Sequence, residues 1–246
     1  MMPATVQQVA PAAGLFDRSG RLPAPPLRDL AAEGVALLCD RRRFRGRLPL
    51  LSSLPRGDGH TVLVLPPLFG SDRMTGGFRA WLAALGYRAE AWGAGINLGP
   101  THAAWRQASE RLPAVAACSG RPVSLVGYSL GGVLARALAR QYPVLVRRVI
   151  TVCSPFRLPT ATRLEPLYRL MARWHIDEAF QLALVAEPPP APTTAIYTTR
   201  DGVVAWRSCL DLPAPGRENI AIDGAHSTML ANPQAIRIIA EHLARP

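Results

Sequence analysis

The chain has 246 residues, long enough for one large domain with a full core, and 49% of them are hydrophobic, an ordinary share for a globular protein. No apolar run approaches about 20 residues, which argues against a transmembrane helix, and the N-terminus lacks the pattern of a signal peptide, so we expect a cytoplasmic protein. The net charge is +11 and every basic residue is arginine, but no basic–aromatic recognition motif accompanies them, so we expect no nucleic-acid partner and keep peripheral contact with an anionic membrane open.

The first residues, 1 to about 27, are rich in Ala and Pro and predict an arm with little regular structure. Residues 27–38 predict an amphipathic helix, which is followed by an arginine-rich segment, 41–47. That segment is either a solvated helix end that complements the helix dipole or a docking site for an acidic partner or lipid surface. Arm and helix together, residues 1–56, are predicted to precede the main domain at 57–246.

From residue 60 onward, short apolar segments alternate with helical segments. The predicted strands cover 60–65, 87–92, 123–128, 148–153, 194–199 and 219–223. The predicted helices cover 75–85, 101–118, about 133–142 and 232–243. This alternation predicts βαβ units, and therefore an α/β fold with a mostly parallel central sheet flanked by helices.

The stretch from Ser154 to Pro192 is longer than one crossover needs. Apolar residues recur in it at helical spacing, and it ends in a proline-rich segment that predicts a stiff, extended linker. It leaves from a strand end at the sheet edge that also carries Ser129. We therefore predict a short helical cap or lid at about 156–192, with a crossover helix packed on the core as the alternative.

Ser129 lies in a Gly-x-Ser-x-Gly pattern, between a predicted strand and a predicted helix. This is the pattern of a nucleophile elbow, a sharp turn that holds a serine hydroxyl out at the end of a sheet. Gly127 and Gly131 leave room where a Cβ would clash in such a turn. The N-terminus of the following helix favours an oxyanion beside Ser129.

A serine hydroxyl needs an adjacent base, and the chain has five histidines. His226 follows the last predicted strand, so it lies at the carboxyl edge of the sheet with Ser129, where open α/β sheets place their sites. His60 begins a strand at the opposite edge, and His242 is expected to face solvent on the last helix. We therefore predict His226 as the base.

The base needs an acid that fixes its tautomer. Asp201 follows the strand at 194–199, again at the carboxyl edge, and the chain order serine, acid, histidine is a known order for such triads. Asp223 is the rival acid, although it is close in sequence to His226 for face-on pairing. The first donor of the oxyanion hole is predicted to be the backbone N–H of Leu130, the residue directly after the nucleophile.

The second oxyanion donor is expected from the loop after the first strand. Pro66 and Pro67 have no N–H, so Leu68 is the first available donor and Phe69 the second.

The four cysteines, Cys39, Cys118, Cys153 and Cys209, contain no C-x-x-C pair, and we expect buried free thiols. No metal and no cofactor is predicted.

These motifs resemble the α/β-hydrolase superfamily, and more narrowly its bacterial esterase and lipase-type members. The resemblance covers about residues 60–243 and rests on five segments: 64–70, 127–132, 152–155, 200–204 and 224–226. It implies a Ser129–His226–Asp201 triad with Leu68 and Leu130 as the oxyanion hole. Pro67 departs from the family pattern, in which many relatives carry glycine. Residues 95–100 also resemble a loop of lipase-like members that either lines the cleft or forms a structural turn.

The implied reaction is two-step acyl transfer from an ester through an acyl-enzyme on Ser129. Several apolar side chains could form an acyl pocket, which favours lipid-like esters of medium to long acyl chain; the assigned residues are Phe69, Tyr128, Phe156, Tyr168, Met171 and Trp174. Two alternatives stay open: an acyltransferase with the same triad, and a catalytically silent binding module on a hydrolase fold. The sequence does not indicate which oligomeric state the protein adopts.

Overall fold

A computed structural model describes residues 24–44, 51–99, 101–157 and 187–246 of the chain. The predicted N-terminal arm, apart from residues 24–26, and most of the predicted cap lie outside the described residues. The same holds for three of the assigned substrate contacts, Tyr168, Met171 and Trp174.

The described residues form one six-stranded parallel sheet in the order β2-β1-β3-β4-β5-β6. The strands are β1 Thr61–Leu65, β2 Arg88–Ala91, β3 Val123–Tyr128, β4 Val146–Val152, β5 Thr193–Tyr197 and β6 Arg217–Ala221. The helices are α1 Leu27–Phe44, α2 Asp72–Leu85, α3 His102–Ser119, α4 Leu130–Gln141 and α5 Pro233–Leu243. The predicted α/β class with a parallel sheet is confirmed.

The core has two halves, one on each side of the sheet, because successive strand residues point to opposite faces. On β1, Val62 and Val64 pack in the cluster that contains the apolar side chains of α2 and α5. Leu63 and Leu65 pack in the cluster that contains those of α3 and α4. Helices therefore cover both faces of the sheet, which leaves the strand ends and their loops for chemistry.

The position of β1 in the sheet determines where a cleft can form. From β1 the chain first moves outward to β2, and it then returns to place β3 on the other side of β1. The loops that follow β1 and β3 therefore diverge at their carboxyl ends, and open α/β sheets bind ligands at such a switch point. Residues 66–70 and Ser129 lie on these two loops.

Helix α1 is present as predicted, but its buried face is polar. Glu33 is only 6% exposed, whereas apolar side chains such as Leu27, Val35 and Leu38 are exposed, Leu38 to 76%. Amphipathic helices of globular proteins ordinarily bury the apolar side. The reversal arises because α1 packs on loops at the carboxyl edge of the sheet through hydrogen bonds rather than through side-chain hydrophobicity.

His242 and two cysteines correct expectations from the sequence. His242 is buried rather than solvent-facing, because its ring contacts the Ile238 carbonyl at 2.7 Å and Glu218 at 3.2 Å. All four cysteines are free thiols, but Cys39 and Cys118 are exposed and only the other two are buried.

A buried ion pair ties the elbow helix α4 to the segment before β6. Arg136 donates two hydrogen bonds of 2.7 Å to Asp211, which also accepts one of 2.7 Å from Thr193. Removing one partner leaves an uncompensated buried charge, so we expect Asp211→Ala to lower the free energy of unfolding by about 3–5 kcal/mol. Urea denaturation measures this change.

The exposed pair Arg200–Asp223 offers a matched control, with an N–O distance of 3.0 Å and a 91% exposed Asp223 side chain. Surface ion pairs contribute little, so Asp223→Ala should change the free energy of unfolding by less than about 1 kcal/mol. Equal losses in the two variants would contradict a stabilising role that depends on burial.

Candidate active site

Ser129 sits on a strained turn between β3 and α4. Its backbone has φ 52° and ψ −121°, a region that non-glycine residues rarely adopt. The neighbouring glycines are required by close contacts: a Cβ on Gly127 would lie 2.4 Å from the Gly131 carbonyl oxygen, and one on Gly131 would lie 2.3 Å from that of Leu65. The turn thus holds the Ser129 side chain at the switch point, with 8% of the residue exposed.

The structure brings Ser129, His226 and Asp201 together from three separate loops. Ser129 Oγ lies 3.1 Å from His226 Nε2, and His226 Nδ1 lies 2.8 Å from Asp201 Oδ2. Because an ionised carboxylate only accepts, Nδ1–H donates to Asp201 and leaves Nε2 free to accept from the serine hydroxyl. This arrangement can move a proton from Ser129 to His226.

The Asp201 side chain is held in place by its own loop. Its Oδ1 accepts from the backbone N–H groups of Val203 at 2.9 Å and Val204 at 2.8 Å, so Oδ2 is directed to His226. Asp223, the rival acid, instead accepts from exposed Arg200 at 3.0 Å, and its backbone carbonyl accepts from Asn232. The geometry therefore favours Asp201 as the partner of His226.

The environment of His226 decides its protonation. Burial of the ring lowers its pKa, but the charge of Asp201, its hydrogen bond to the ring and the more distant charge of Glu33 outweigh that penalty. The pKa of His226 is therefore raised above its ordinary value of 6.5. An imidazolium that forms beside Asp201 is stabilised in the same way.

Leu68, on the loop after β1, and Leu130, directly after Ser129, are the candidate oxyanion donors. Phe69 N–H, the second donor predicted for this loop, already donates to the Asn97 carbonyl at 2.7 Å. Among the backbone hydrogen bonds that the described residues form in turns, loops and caps, none has Leu68 N–H or Leu130 N–H as its donor. Both therefore stay available for an oxyanion beside Ser129.

Asn97 braces this loop and was not singled out by the sequence. Its buried side chain donates to the Pro66 carbonyl at 2.8 Å, and its backbone N–H donates to the Gly70 carbonyl at 2.8 Å. Together with the bond from Phe69, three hydrogen bonds fix residues 66–70 to the 95–100 loop. The predicted alternatives for that loop, cleft lining or structural turn, are thus joined by a third role, support of the Leu68 backbone.

Phe69 is the assigned substrate contact that the structure leaves accessible, with 48% of the residue exposed next to Leu68. Tyr128 is buried, and its hydroxyl donates to the His226 carbonyl. Phe156 is buried in a cluster with Leu130, below the Arg136 guanidinium. Tyr128 and Phe156 thus support the site from within the core, and their assignment to the acyl pocket stays a prediction.

A second serine–histidine–aspartate arrangement lies at the opposite edge of the sheet. His60 Nε2 is 2.9 Å from Ser124 Oγ, and its Nδ1 contacts Asp58. Ser124 and His60 are both fully buried, and burial lowers the pKa of His60 despite the raising effect of Asp58. Since no substrate reaches a fully buried hydroxyl, we assign this arrangement a structural role.

Cys153 lies behind the site, with its Sγ within 4.8 Å of ligand atoms of Asp201 and His226. Burial, together with the nearby charge of Asp201, holds the pKa of the Cys153 thiol well above its ordinary range. Both ring nitrogens of His226 are already engaged, Nδ1 with Asp201 and Nε2 with Ser129, so we assign Asp201 and His226 to the triad rather than to a metal site. The buried thiol therefore packs as a neutral neighbour of the Asp201 carboxylate.

Comparison with known proteins agrees with this architecture. A family model described as the alpha/beta hydrolase fold matches residues 110–174, which include Ser129. No curated protein matches the sequence. In the described part of the chain, no helix is both long and apolar enough to cross a membrane.

Several solved structures are similar in fold. A monoacylglycerol lipase of Paleococcus ferrophilus matches with 15% identity and a TM-score of 0.57, over 78% of this chain and 96% of that one. Lipase B of Aspergillus fumigatus matches with 16% identity and a TM-score of 0.59, over 76% and 53%. A carboxylesterase of Bacillus subtilis matches with 13% identity and a TM-score of 0.53, over 78% and 87%. The chain therefore has the α/β-hydrolase fold, as the resemblance of its motifs predicted.

Proposed function

We propose that this protein is a serine hydrolase that cleaves carboxylic esters through an acyl-enzyme on Ser129. The observation that carries the proposal is the continuous set of contacts from Ser129 Oγ through His226 to Asp201, at 3.1 Å and 2.8 Å. Two of the similar structures are named as lipases and one as a carboxylesterase, which supports an ester as the substrate class.

In the first step, His226 Nε2 takes the proton of Ser129 as its oxygen attacks the ester carbonyl. The negative charge that develops on the carbonyl oxygen is stabilised by the N–H groups of Leu68 and Leu130. His226 then protonates the leaving alcohol. In the second step it activates water, which releases the acid and restores Ser129.

Phe69, exposed on the same loop as Leu68, supports apolar acyl groups, and we propose medium to long chains. Labelling with a fluorophosphonate probe tests for an activated serine, and p-nitrophenyl esters of increasing acyl length test the pocket. We expect labelling, and hydrolysis that rises from acetate to medium-chain esters. Absence of labelling in the folded protein would overturn the proposal, and ester products formed from added alcohols would favour an acyltransferase.

The rate of hydrolysis should depend on pH through His226. The base acts only when neutral, and its pKa is raised, so kcat/KM is expected to be high above that pKa and to fall as the pH drops through it. The acidic limb should therefore have an apparent pKa above 6.5. A pH–rate profile measures it, and a limb below the ordinary histidine value would contradict the electrostatic role of Asp201.

We also propose a cytoplasmic location, with peripheral contact to anionic membrane. The contact is supported by the exposed apolar face of α1, which includes Leu27, Val35 and Leu38, and by the arginine-rich segment 41–47 that follows in the sequence. In a sedimentation assay, the protein should pellet with phosphatidylglycerol vesicles and stay in the supernatant with phosphatidylcholine vesicles. Leu38→Glu should weaken the binding, and equal binding by the variant would contradict this contact.

A further inference from the structure

Glu33 on α1 is a buried carboxylate that contacts two of the three loops of the candidate triad, those of Asp201 and His226. Its Oε1 accepts from Gly202 N–H at 3.0 Å and from His226 N–H at 2.9 Å. Its Oε2 accepts from Ser227 N–H at 2.8 Å and from the Ser227 hydroxyl at 2.6 Å. One side chain therefore holds the residue that follows Asp201 and the backbone of His226 itself.

The backbone of α1 also fits closely against the Asp201 loop. A Cβ added to Gly202 would lie 2.3 Å from the Asp29 carbonyl oxygen, so only glycine allows this approach. The contact between α1 and the loop is thus specific in shape as well as in hydrogen bonding. It brings Glu33 to a fixed position between the two loops.

A buried carboxylate is costly unless hydrogen bonds satisfy it. Glu33 accepts four such bonds, and among the described residues it forms no ion pair with a basic side chain. A helix that only covered the loops could use its leucines, but α1 leaves Leu27 and Leu38 exposed on the outer side. The polar inner face therefore forms directed hydrogen bonds to the two loops, which apolar packing would not provide.

We propose that Glu33 is a positioning residue of the active site, whose carboxylate fixes the Asp201 and His226 loops relative to each other. Displacement of either loop would lengthen the contact between His226 Nδ1 and Asp201 Oδ2 or that between Nε2 and Ser129 Oγ. The N-terminal helix, which lies outside the motifs that resemble known hydrolases, thereby becomes part of the catalytic unit. The inference rests on the proposed function of the site.

The charge of Glu33 also acts on the base. The groups that face His226 are Asp201 on its ring, Glu33 on its backbone N–H, the Tyr128 hydroxyl on its carbonyl, and Cys153 behind Asp201. Asp201 and Glu33 are the anions among them, and both favour the imidazolium. Removing the charge of Glu33 should therefore lower the pKa of His226.

Glu33→Gln tests the proposal with nearly constant side-chain volume. Its amide nitrogen cannot accept, so glutamine can keep either the bonds of Oε1, from Gly202 and His226, or those of Oε2, from Ser227, but not both sets. A misplaced catalytic group costs up to about 100-fold in rate, so we expect kcat to fall about 10- to 100-fold with little change in KM. The acidic limb of kcat/KM should move to lower pH. A purely structural residue would not move that limb.

Asp29→Asn is the matched control, because it changes only a side chain one turn earlier on α1 that pairs with exposed Arg28, and it keeps the Asp29 carbonyl that meets Gly202. We expect its kcat and pH profile to equal those of the unaltered protein. Thermal unfolding of each variant ensures that rates are compared among folded proteins. If Glu33→Gln and Asp29→Asn have the same kcat and the same acidic limb, the proposal is overturned.

Proton NMR of the histidines separates this proposal from the proposed function, because it needs no substrate. The His226 signals are assigned with His226→Ala, and their titration is followed in the unaltered protein and in Glu33→Gln. A lowered pKa and a lost Nδ1–H signal in Glu33→Gln support positioning even if no ester is cleaved. An unchanged titration and an unchanged Nδ1–H signal overturn it, whether or not the protein hydrolyses esters.

Discussion

Ser129→Ala is expected to abolish labelling by a fluorophosphonate and to lower kcat for ester hydrolysis by on the order of 10⁶-fold, the loss typical of a removed serine nucleophile. The reason is that, in the described part of the chain, Ser129 is the residue whose hydroxyl forms a hydrogen bond with His226 Nε2, at 3.1 Å. His226→Ala should have a similar effect, because the serine hydroxyl is a poor nucleophile without its base. Single-turnover assays and intact-protein mass spectrometry measure both results.

Ser124→Ala provides the matched control, since Ser124 also contacts a histidine, at 2.9 Å. It is fully buried and lies at the opposite edge of the sheet, so its loss should leave labelling and kcat unchanged. Some loss of stability is expected, because His60 Nε2 would lack its partner. Labelling that survives in Ser129→Ala but disappears in Ser124→Ala would show that Ser124 is the reactive serine and that the assignment to Ser129 is wrong.

Asp201→Asn should lower kcat by about 10⁴-fold while the fold is retained, as in other triads that lose the carboxylate. The amide can donate to Nδ1, which turns the imidazole into the tautomer whose Nε2 no longer accepts from Ser129. The loss of the negative charge also removes the main factor that raises the pKa of His226. Steady-state kinetics with a p-nitrophenyl ester measure the change.

Asp223→Asn tests the specificity of that effect. Asp223 is in the same region of the chain as His226, but its side chain is exposed and pairs with Arg200 at 3.0 Å. Its substitution should therefore change kcat less than twofold, and circular dichroism shows whether each variant is folded. A larger loss in Asp223→Asn than in Asp201→Asn would mean that the acid has been misassigned.

Much of the fold follows from local patterns in the sequence. The six predicted strand positions agree with β1–β6 to within one or two residues at most ends, because buried parallel strands are short apolar runs bounded by turn residues. Helix α2 begins at Asp72, earlier than the predicted residue 75, because Asp72 accepts from the backbone of Trp92 and Gly93 and so begins the helix against the next loop.

The candidate triad was predictable for a related reason. Ser129, Asp201 and His226 each follow a parallel strand, and all such strands end at one edge of the sheet. The order of elements along the chain therefore brings the three residues to a common edge before any contact is known. Gly127 and Gly131 were recognisable because a sharp strand-to-helix turn leaves no space for a Cβ.

The sequence by itself thus determined the sheet, the elbow and the edge where chemistry is expected. The tertiary structure alone decided that Glu33 meets His226, 193 residues away, that Asn97 braces the loop of Leu68, and that Tyr128 supports His226 from the core. It also turned the polar side of α1 inward. Hydrophobic periodicity describes which side of an element is apolar, but not which distant N–H groups a carboxylate meets. Those contacts depend on how loops pack at the sheet edge, and no local pattern encodes that packing.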